Sequence, residues 1–354
     1  MKDLDLSIVI PTYNRHNYLI RTLKYWNDKE VIVHVLDGSD KPLPKNIIKT
    51  FSQNINYHYL KLSLIERIGY SQKLINTKYV ALLSDDEFYL TKSLKEFINI
   101  LEKDKSLSCC SGLTMSYNYD KKNLEINSFY QYINPPFENT KNINLMEEDP
   151  IKRVEKHMSN YIPIATYNVT RVEFYKKIVN LIGSKEYKAL GSWEIQFEVA
   201  MCLLGKIKFI PWVYWIRSFE APRIRNTSPS MTTSNNFSNW WILKKNLNET
   251  SHFISSLITL KYSKNKNFNN KIRELSEIID NYCNKKIYTY KKLNLNFLST
   301  LKKIKILIPA FILKKLVDRS FNKKIKILKN YNIKVDETEI DEIVSLIKTN
   351  PIML

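Results

Sequence analysis

Short apolar runs and amphipathic stretches alternate along the first hundred residues. Leu6-Ser7-Ile8-Val9-Ile10 is a brief apolar run stopped by Pro11, the pattern of a strand covered on both faces. From Asn14 to Trp26 the spacing turns helical, with Tyr18, Leu19, Thr22, Leu23 and Trp26 on one side. Val31 to Leu36 reads as a second strand, ending at Asp37-Gly38-Ser39-Asp40, and Ile55 to Leu60 as a third. A helical stretch over Ile68 to Asn76 leads to a strand at Tyr79 to Leu83, which ends at Ser84-Asp85-Asp86-Glu87. Leu94 to Leu101 continues as a helix. Strands that alternate with helices predict an α/β domain built on a mostly parallel sheet. In such sheets ligands bind beyond the carboxyl ends of the strands. Here those ends carry Pro11-Thr12-Tyr13-Asn14-Arg15, Asp37-Gly38-Ser39-Asp40 and Ser84-Asp85-Asp86.

The pattern changes further on. Tyr117 to Leu145 is rich in Asn and Tyr, contains Pro135-Pro136, and predicts a long loop or hairpin. Helical spacing returns over Ile151 to Met158 and Val172 to Leu181. Trp193 to Leu204 predicts a helix ended by Gly205, with a strand over Ile207 to Ile216. Beyond Asn235 the chain is Lys- and Asn-rich with helical periodicity, so a boundary falls near 235. This divides it into residues 1–234, with halves of about 1–115 and 116–234, and a helical basic region 235–354. No internal repeat is visible.

Composition narrows the class. With 354 residues, 44% hydrophobic and 25% charged, the chain is long enough for a sizeable core. The longest late apolar run, Ile306 to Leu313, contains Pro309 and is far short of the ~20 residues a membrane-spanning helix needs. Met1-Lys2-Asp3-Leu4-Asp5 leads straight into a strand and is no secretory signal, so a cytoplasmic protein is expected. Cys109, Cys110, Cys202 and Cys283 show neither zinc-site spacing nor a nearby histidine cluster, which suits a reducing compartment. The net charge of +20 is concentrated: residues 285–334 hold fourteen Lys and Arg319 against Asp318, hence +14, leaving +6 elsewhere. That implies an anionic partner such as membrane headgroups, nucleic acid or a diphosphate-bearing substrate. The Asn, Lys and Ile bias also fits an AT-rich genome, which raises Lys content without function.

Asp85-Asp86-Glu87 is the sharpest local signal for chemistry. Carboxylates gathered at a strand end repel one another, and Mg2+ or Mn2+ relieves this while bridging to a substrate's phosphates. The plainer reading is a solvated turn in which Asp86 or Glu87 caps the next helix. Asp37 could accept hydrogen bonds from a base or ribose, although Asp-Gly is also a common turn.

Taken together, Ser7 to Arg15, Val35 to Asp40 and Lys78 to Phe88 resemble the family-2 type glycosyltransferases of GT-A fold. Order and spacing match over roughly residues 5–115 and fade beyond. The resemblance implies a GT-A nucleotide-binding domain and transfer of a sugar from a nucleotide-sugar donor to a glycan or lipid-linked acceptor. It implies that Pro11, Thr12, Tyr13 and Arg15 line the nucleotide pocket, and that Asp37 faces the base or ribose. Arg67 would touch the nucleotide or its phosphates, and Asp85 and Asp86 would hold Mn2+ or Mg2+ and the donor diphosphate. Two acids of the usual pattern are absent: Leu36 stands in the second motif, and Leu83-Ser84-Asp85-Asp86 replaces Asp-x-Asp-Asp. The family's base is an acid at a late helix start, and Gly191-Ser192-Trp193-Glu194-Ile195-Gln196-Phe197-Glu198 looks like that place. Glu194 is the first candidate for an inverting base and Glu198 the second; an acid there also complements the helix dipole without catalysing anything. Ser192 is a candidate helix cap. Trp193 would stack on a sugar or serve the core. Arg217, Arg223 and Arg225 could neutralise a departing diphosphate or be plain surface charge. Asn168 and Thr170 are weaker acceptor-side candidates.

The lysine-flanked apolar residues between Leu298 and Leu316 suit either a helix lying in an anionic membrane interface or a subdomain packed on the catalytic domain. Rival readings are a nucleotidyltransferase, disfavoured by the glycine-free first loop, a catalytically degenerate scaffold and a binder of anionic polymers. For nucleic acid the lysines lack interleaved aromatics.

Overall fold

The computed structural model describes residues 4–120, 125–131, 143–189, 191–220, 236–304 and 320–352. At its centre is a nine-stranded mixed sheet. Strands β1 (Leu6–Thr12), β2 (Ile32–Asp37), β3 (Ile55–Tyr59) and β4 (Tyr79–Leu82) are parallel, in the order β3-β2-β1-β4. The sheet continues through β8 (Val169–Arg171), β6 (Leu107–Asp120), β9 (Lys206–Ser218) and β5 (Phe88–Tyr89), with β7 (Glu125–Gln131) pairing β6 as an antiparallel hairpin. β4 meets β8 antiparallel, while β6 and β9 run parallel.

β1 is buried along almost its whole length, so nearly every side chain is apolar and alternation is lost. β1 outlasts its apolar run: Pro11 and Thr12 continue it in register with Leu36 and Asp37. Pro11 ends the hydrophobic pattern without ending the strand.

Helices cover both faces. On one lie α1 (His16–Trp26) and α4 (Thr91–Lys103), whose apolar stripes, Leu19, Leu23 and Trp26 in α1 and Leu94, Phe97 and Leu101 in α4, enter one core. On the other lie α3 (Leu64–Tyr70), α5 (Pro150–Ser159), α6 (Val172–Ser184) and α7 (Ser192–Leu204), which share a second core. α3 begins four residues before the helical spacing at Ile68, because Ser63 and Glu66 form a capping box ahead of it. The short α2 (Lys45–Ile48) links β2 to β3.

The C-terminal helices divide between the two faces. α8 (Phe237–Ile242), α9 (Leu247–Tyr262) and the long α10 (Phe268–Ile304) add Trp240, Phe253, Leu257, Ile279 and Cys283 to the second core. α11 (Phe321–Asn330) and α12 (Glu337–Thr349) return to the first core through Phe321, Ile325, Leu328, Ile340 and Ile343. The return is fixed by polar anchors. Lys334 and Pro211–Val213 exchange backbone hydrogen bonds of 2.9 and 3.0 Å. The Tyr25 hydroxyl and Thr91 Oγ1 donate to the buried Glu339 at 2.6 and 2.8 Å. Within the basic stretch, residues 320–334 therefore pack on the sheet by their apolar side and leave Lys323, Lys326 and Lys329 exposed. The side chains of 290–304, and residues 305–319 with Pro309, lie outside the described residues. Among the described residues no helix is long and apolar enough to cross a membrane. Cys109, Cys110, Cys202 and Cys283 are buried thiols.

Candidate active site

The register of the parallel strands brings the three polar strand ends together, since Thr12 pairs with Asp37 and Val9 with Leu82. Tyr13 and Asn14 cross from β1 to meet the β2 turn. The Tyr13 hydroxyl donates to Asp40 at 3.2 Å, and Asn14 exchanges side-chain and backbone hydrogen bonds with Asp40 and Ser39 between 2.7 and 3.0 Å. Asn14 adopts φ 53°, a left-handed conformation that asparagine tolerates better than most residues. The Tyr13 ring stays 54% exposed at the rim, as a ligand-facing aromatic would.

Asp37 is fully buried and already well supplied with donors. Ser39 N–H and His16 Nε2 lie 2.8 Å from its oxygens, and the Tyr57 hydroxyl donates to it as well. Burial by itself would push its carboxyl up, but hydrogen bonds from Ser39, Tyr57 and His16 hold it below the usual carboxylate value. Arg67 lies beneath this turn. Its Nη1 donates to the carbonyls of Thr12 and Leu36 (2.6 Å for Leu36), and a Cβ added to Gly38 would sit 2.6 Å from its guanidinium. Arg67 thus ties the ends of β1 and β2 together from below, with no partner for its Nε among the described residues.

The acidic turn after β4 is buried despite its charge: Asp85 is 3% exposed, Asp86 5% and Glu87 4%. Backbone anchors hold it. Thr22 of α1 donates to the Asp85 carbonyl at 2.8 Å, and Tyr117 of β6 to the Asp86 carbonyl at 3.1 Å. Tyr117 is itself held by Arg21, which pairs with Glu220. Countercharge comes from two arginines. Arg15 Nη2 sits 2.7 Å from Asp86 and 3.3 Å from Asp85, and Arg217 Nε lies 3.3 Å from Glu87. Thr12 adds a 2.6 Å hydrogen bond to Asp85. Burial pushes the Asp85 carboxyl well above its ordinary value; Arg15 pulls back, and the charge of Asp86 adds to the rise. Glu87 is raised for the same reason, with Arg217 as the opposing charge.

The second acidic group lies on α7. Gly191, not Ser192, is its N-cap, and φ 78° there is a conformation that favours glycine. Glu194 follows in the first turn, partly exposed. Burial and then the charge of Glu198 push its carboxyl up to about 7, opposed by a hydrogen bond from the Tyr167 hydroxyl at 3.3 Å. Glu198, one turn on, is sealed: it accepts from the N–H groups of Ala165 and Thr166, Thr166 Oγ1 and His157 Nε2 at 2.8 to 3.0 Å. That arrangement holds a loop and leaves no oxygen facing a ligand. Trp193 is partly buried and packs on the second core. Asn168 and Thr170 are buried and occupied, Asn168 donating to the Ile164 carbonyl and Thr170 to Asn168. Arg223 and Arg225 lie outside the described residues.

The two acidic groups are joined through aromatics. Trp215 Nε1 donates to Glu87 at 2.9 Å, and its ring stacks on Tyr167 with centroids 4.7 Å apart. Tyr167 then reaches Glu194. His16, Tyr57, Tyr117, Tyr167, Trp215 and Glu220 are candidate-site residues without a sequence signal: His16 sits beside Arg15 but meets Asp37 only through the fold, and the others are brought in by packing from other parts of the chain.

Residues 7–179 match the family described as "Glycosyl transferase family 2". They are a family-2 glycosyltransferase domain. The chain is thus an enzyme of glycosyl transfer, and the strand ends described above fall inside that domain, whereas α7 and Arg217 lie beyond the matched residues. Among solved structures, the chain is similar to S. aureus TarS 1-349, at 13% identity and a TM-score of 0.43, covering 79% of this chain and 89% of that one. The complex of S. aureus TarS 1-349 with UDP-GlcNAc has 13% identity and a TM-score of 0.46, with 79% and 90% covered. S. aureus TarS in a longer form has 15% identity and a TM-score of 0.43, with 79% and 54% covered. A search of curated proteins matched none.

Proposed function

We propose that the family-2 domain takes a nucleotide-sugar donor at the ends of β1, β2 and β4 and transfers its sugar, with inversion, to a glycan or lipid-linked acceptor. The exposed Tyr13 would face the base or ribose at the rim, and Asp37 would accept from them by exchanging its His16 or Tyr57 hydrogen bond. Asp85 and Asp86 would face the diphosphate, with Arg15 beside them and Arg217 close to the departing phosphate. Glu194 would take the proton from the acceptor hydroxyl. The observation that carries the reading is the place of Glu194, a first-turn acid of α7 linked to the donor-side acids through Tyr167 and Trp215, whose carboxyl burial raises to about 7. A base works best with a pKa near the operating pH.

The donor set is compatible with Mg2+ or Mn2+. Asp85 and Asp86 are adjacent and buried with Arg15 as their shared countercharge, and burial raises the Asp85 carboxyl in spite of it. Mg2+ is commonly bound by one or two carboxylates, with substrate phosphates and water completing its shell. Among the described residues no group of three or more His, Cys, Asp or Glu is arranged to hold an ion without such a substrate. A bound ion would neutralise diphosphate charge. A second reading rests on Arg15, which pairs with both aspartates and could supply that charge in place of a metal.

Thermal shift with UDP, GDP, CDP, CMP and dTDP, with and without Mn2+, tests both. A nucleotide at a hundredfold excess over its Kd adds about 2.7 kcal/mol. A shift that needs Mn2+ supports the metal site, and a shift without it supports the Arg15 reading. No shift with any nucleotide would leave a degenerate scaffold. The membrane-facing, cytoplasmic placement of the acceptor is proposed from the basic stretch 285–334, and is tested by salt-sensitive retention of the chain on anionic vesicles.

A further inference from the structure

We propose that Tyr167 is a positioning residue that aims the Glu194 carboxylate, in a loop clamped from beneath by Glu198. The inference rests on the reading of Glu194 as the base.

Tyr167 lies between α5 and β8, and its ring and its carbonyl each have a structural partner. Its ring stacks on Trp215 at 23°. Its carbonyl accepts from the Tyr214 hydroxyl. The two preceding residues, Ala165 and Thr166, give their N–H groups to Glu198, and His157 closes the other side of that carboxylate at 2.9 Å. Asn168, the next residue, is tied back to Ile164 at 3.2 Å. Backbone and ring are therefore fixed without help from the hydroxyl, and phenylalanine would stack on Trp215 equally well. The hydroxyl donates to Glu194 Oε1 and accepts a hydrogen bond from Ser84 at the start of the acidic turn.

The surroundings of Glu194 explain why a donor is needed. Gly191 ahead of it has no side chain to offer, and Glu198 on the same helix repels it. From the loop packed over α7 it is faced by Tyr161 and Tyr167, and Glu87 approaches Tyr167 from the β4–β5 turn. The Tyr167 hydroxyl is the donor among these groups that reaches the carboxylate. A hydrogen bond to the ionised form favours that form and engages Oε1, and among the described residues none donates to Oε2, the oxygen proposed to meet an acceptor hydroxyl. The same geometry divides the two glutamates of α7 by role: Glu194 is the group aimed, and Glu198 holds the loop that aims it.

The test is a carboxyl 13C NMR titration of the full chain labelled at glutamate, with the Glu194 resonance assigned by its loss in Glu194→Gln. Tyr167→Phe keeps the stacked ring, so it should leave the melting temperature and the nucleotide thermal shift near their original values. It should raise the Glu194 midpoint by about one unit, the order expected for one hydrogen bond to a charged group. The acidic limb of the rate profile then moves up, because the base must be ionised to act, and turnover falls about tenfold below the midpoint. An unchanged midpoint in a folded Tyr167→Phe chain overturns the positioning role while leaving Glu194 as base. A Tyr167→Phe melting temperature as low as that of Tyr167→Ala would make the hydroxyl structural and also overturn it. Full turnover in Glu194→Gln sinks the base reading itself, and this inference falls with it.

Discussion

The two acidic groups of this molecule are buried in opposite ways. At the end of β4, Asp85, Asp86 and Glu87 are compensated by charge, from Arg15 and Arg217. On α7, Glu198 is compensated by fixed dipoles, two backbone N–H groups and a hydroxyl, together with His157. A countercharge on a long side chain can be exchanged for another cation. Backbone donors in a loop cannot be exchanged without unfolding the loop. On the function proposed above, it is the kind of compensation and not burial that would separate a ligand site from a structural clamp, since both groups are out of water. Glu194 stands between them, partly exposed with one phenolic donor.

The comparison can be broken most directly at Glu194. Glu194→Gln should lower transfer by about 10²- to 10⁴-fold, the usual range for a lost general base, with little change in melting temperature. A large stability loss with unchanged specific activity would place Glu194 with the clamp. Glu198→Ala should behave in the reverse sense. Stranding two N–H groups and His157 should remove about 3 kcal/mol or more from urea-unfolding stability, whatever happens to donor binding.

Arg15→Met sharpens the contrast at β4. It leaves Asp85 and Asp86 without their arginine, and should lower stability at neutral pH by about 1–3 kcal/mol. Mn2+ should recover part of that loss if the aspartates exchange one cation for another; a melting temperature indifferent to Mn2+ would count against a metal there. The raised carboxyls also give a pH signature. Asp85 and Glu194 bind protons more tightly in the folded chain than at their ordinary values of 3.8 and 4.5. Their contribution to stability is full below those values and is lost as pH rises through about 7, the folded value of Glu194. Melting temperature should fall across that window, and Asp86→Asn should flatten the slope by removing the charge that raises Asp85. The smallest effect is expected at a surface pair: Lys271→Ala, which breaks a 2.8 Å contact with Glu274 on α10, should change stability by at most about 0.5 kcal/mol.

The strand ends were legible because short-range pattern carries them. An apolar run followed by polar residues marks both a strand and its carboxyl end, so Thr12, Asp37, Asp85 and Asp86 could be named from spacing. Arg67 was legible as a residue, yet its placement beneath Gly38 was not, because a side chain's direction depends on how β1 and β2 align. The α7 acids were legible only as a pair. A spacing of four predicts one face, but Glu198 turns to a loop some thirty residues earlier and Glu194 does not. His16 stood next to Arg15 in the sequence without a signal, since only the fold carries it to Asp37.

By itself the sequence determined the α/β alternation, the strand ends with their polar residues, the helix that carries Glu194 and the resemblance to family 2. Each of these is written in residues close together along the chain. Tertiary structure alone decided which charges meet: Arg15 with Asp85 and Asp86, Tyr167 with Glu194, Glu198 with the 165–166 loop, and Glu339 with Tyr25. It also decided that α11 and α12 return to the first core while α8 to α10 join the second. Periodicity shows that a helix has an apolar face; what that face is buried against follows from packing partners far away in sequence, which no local pattern encodes.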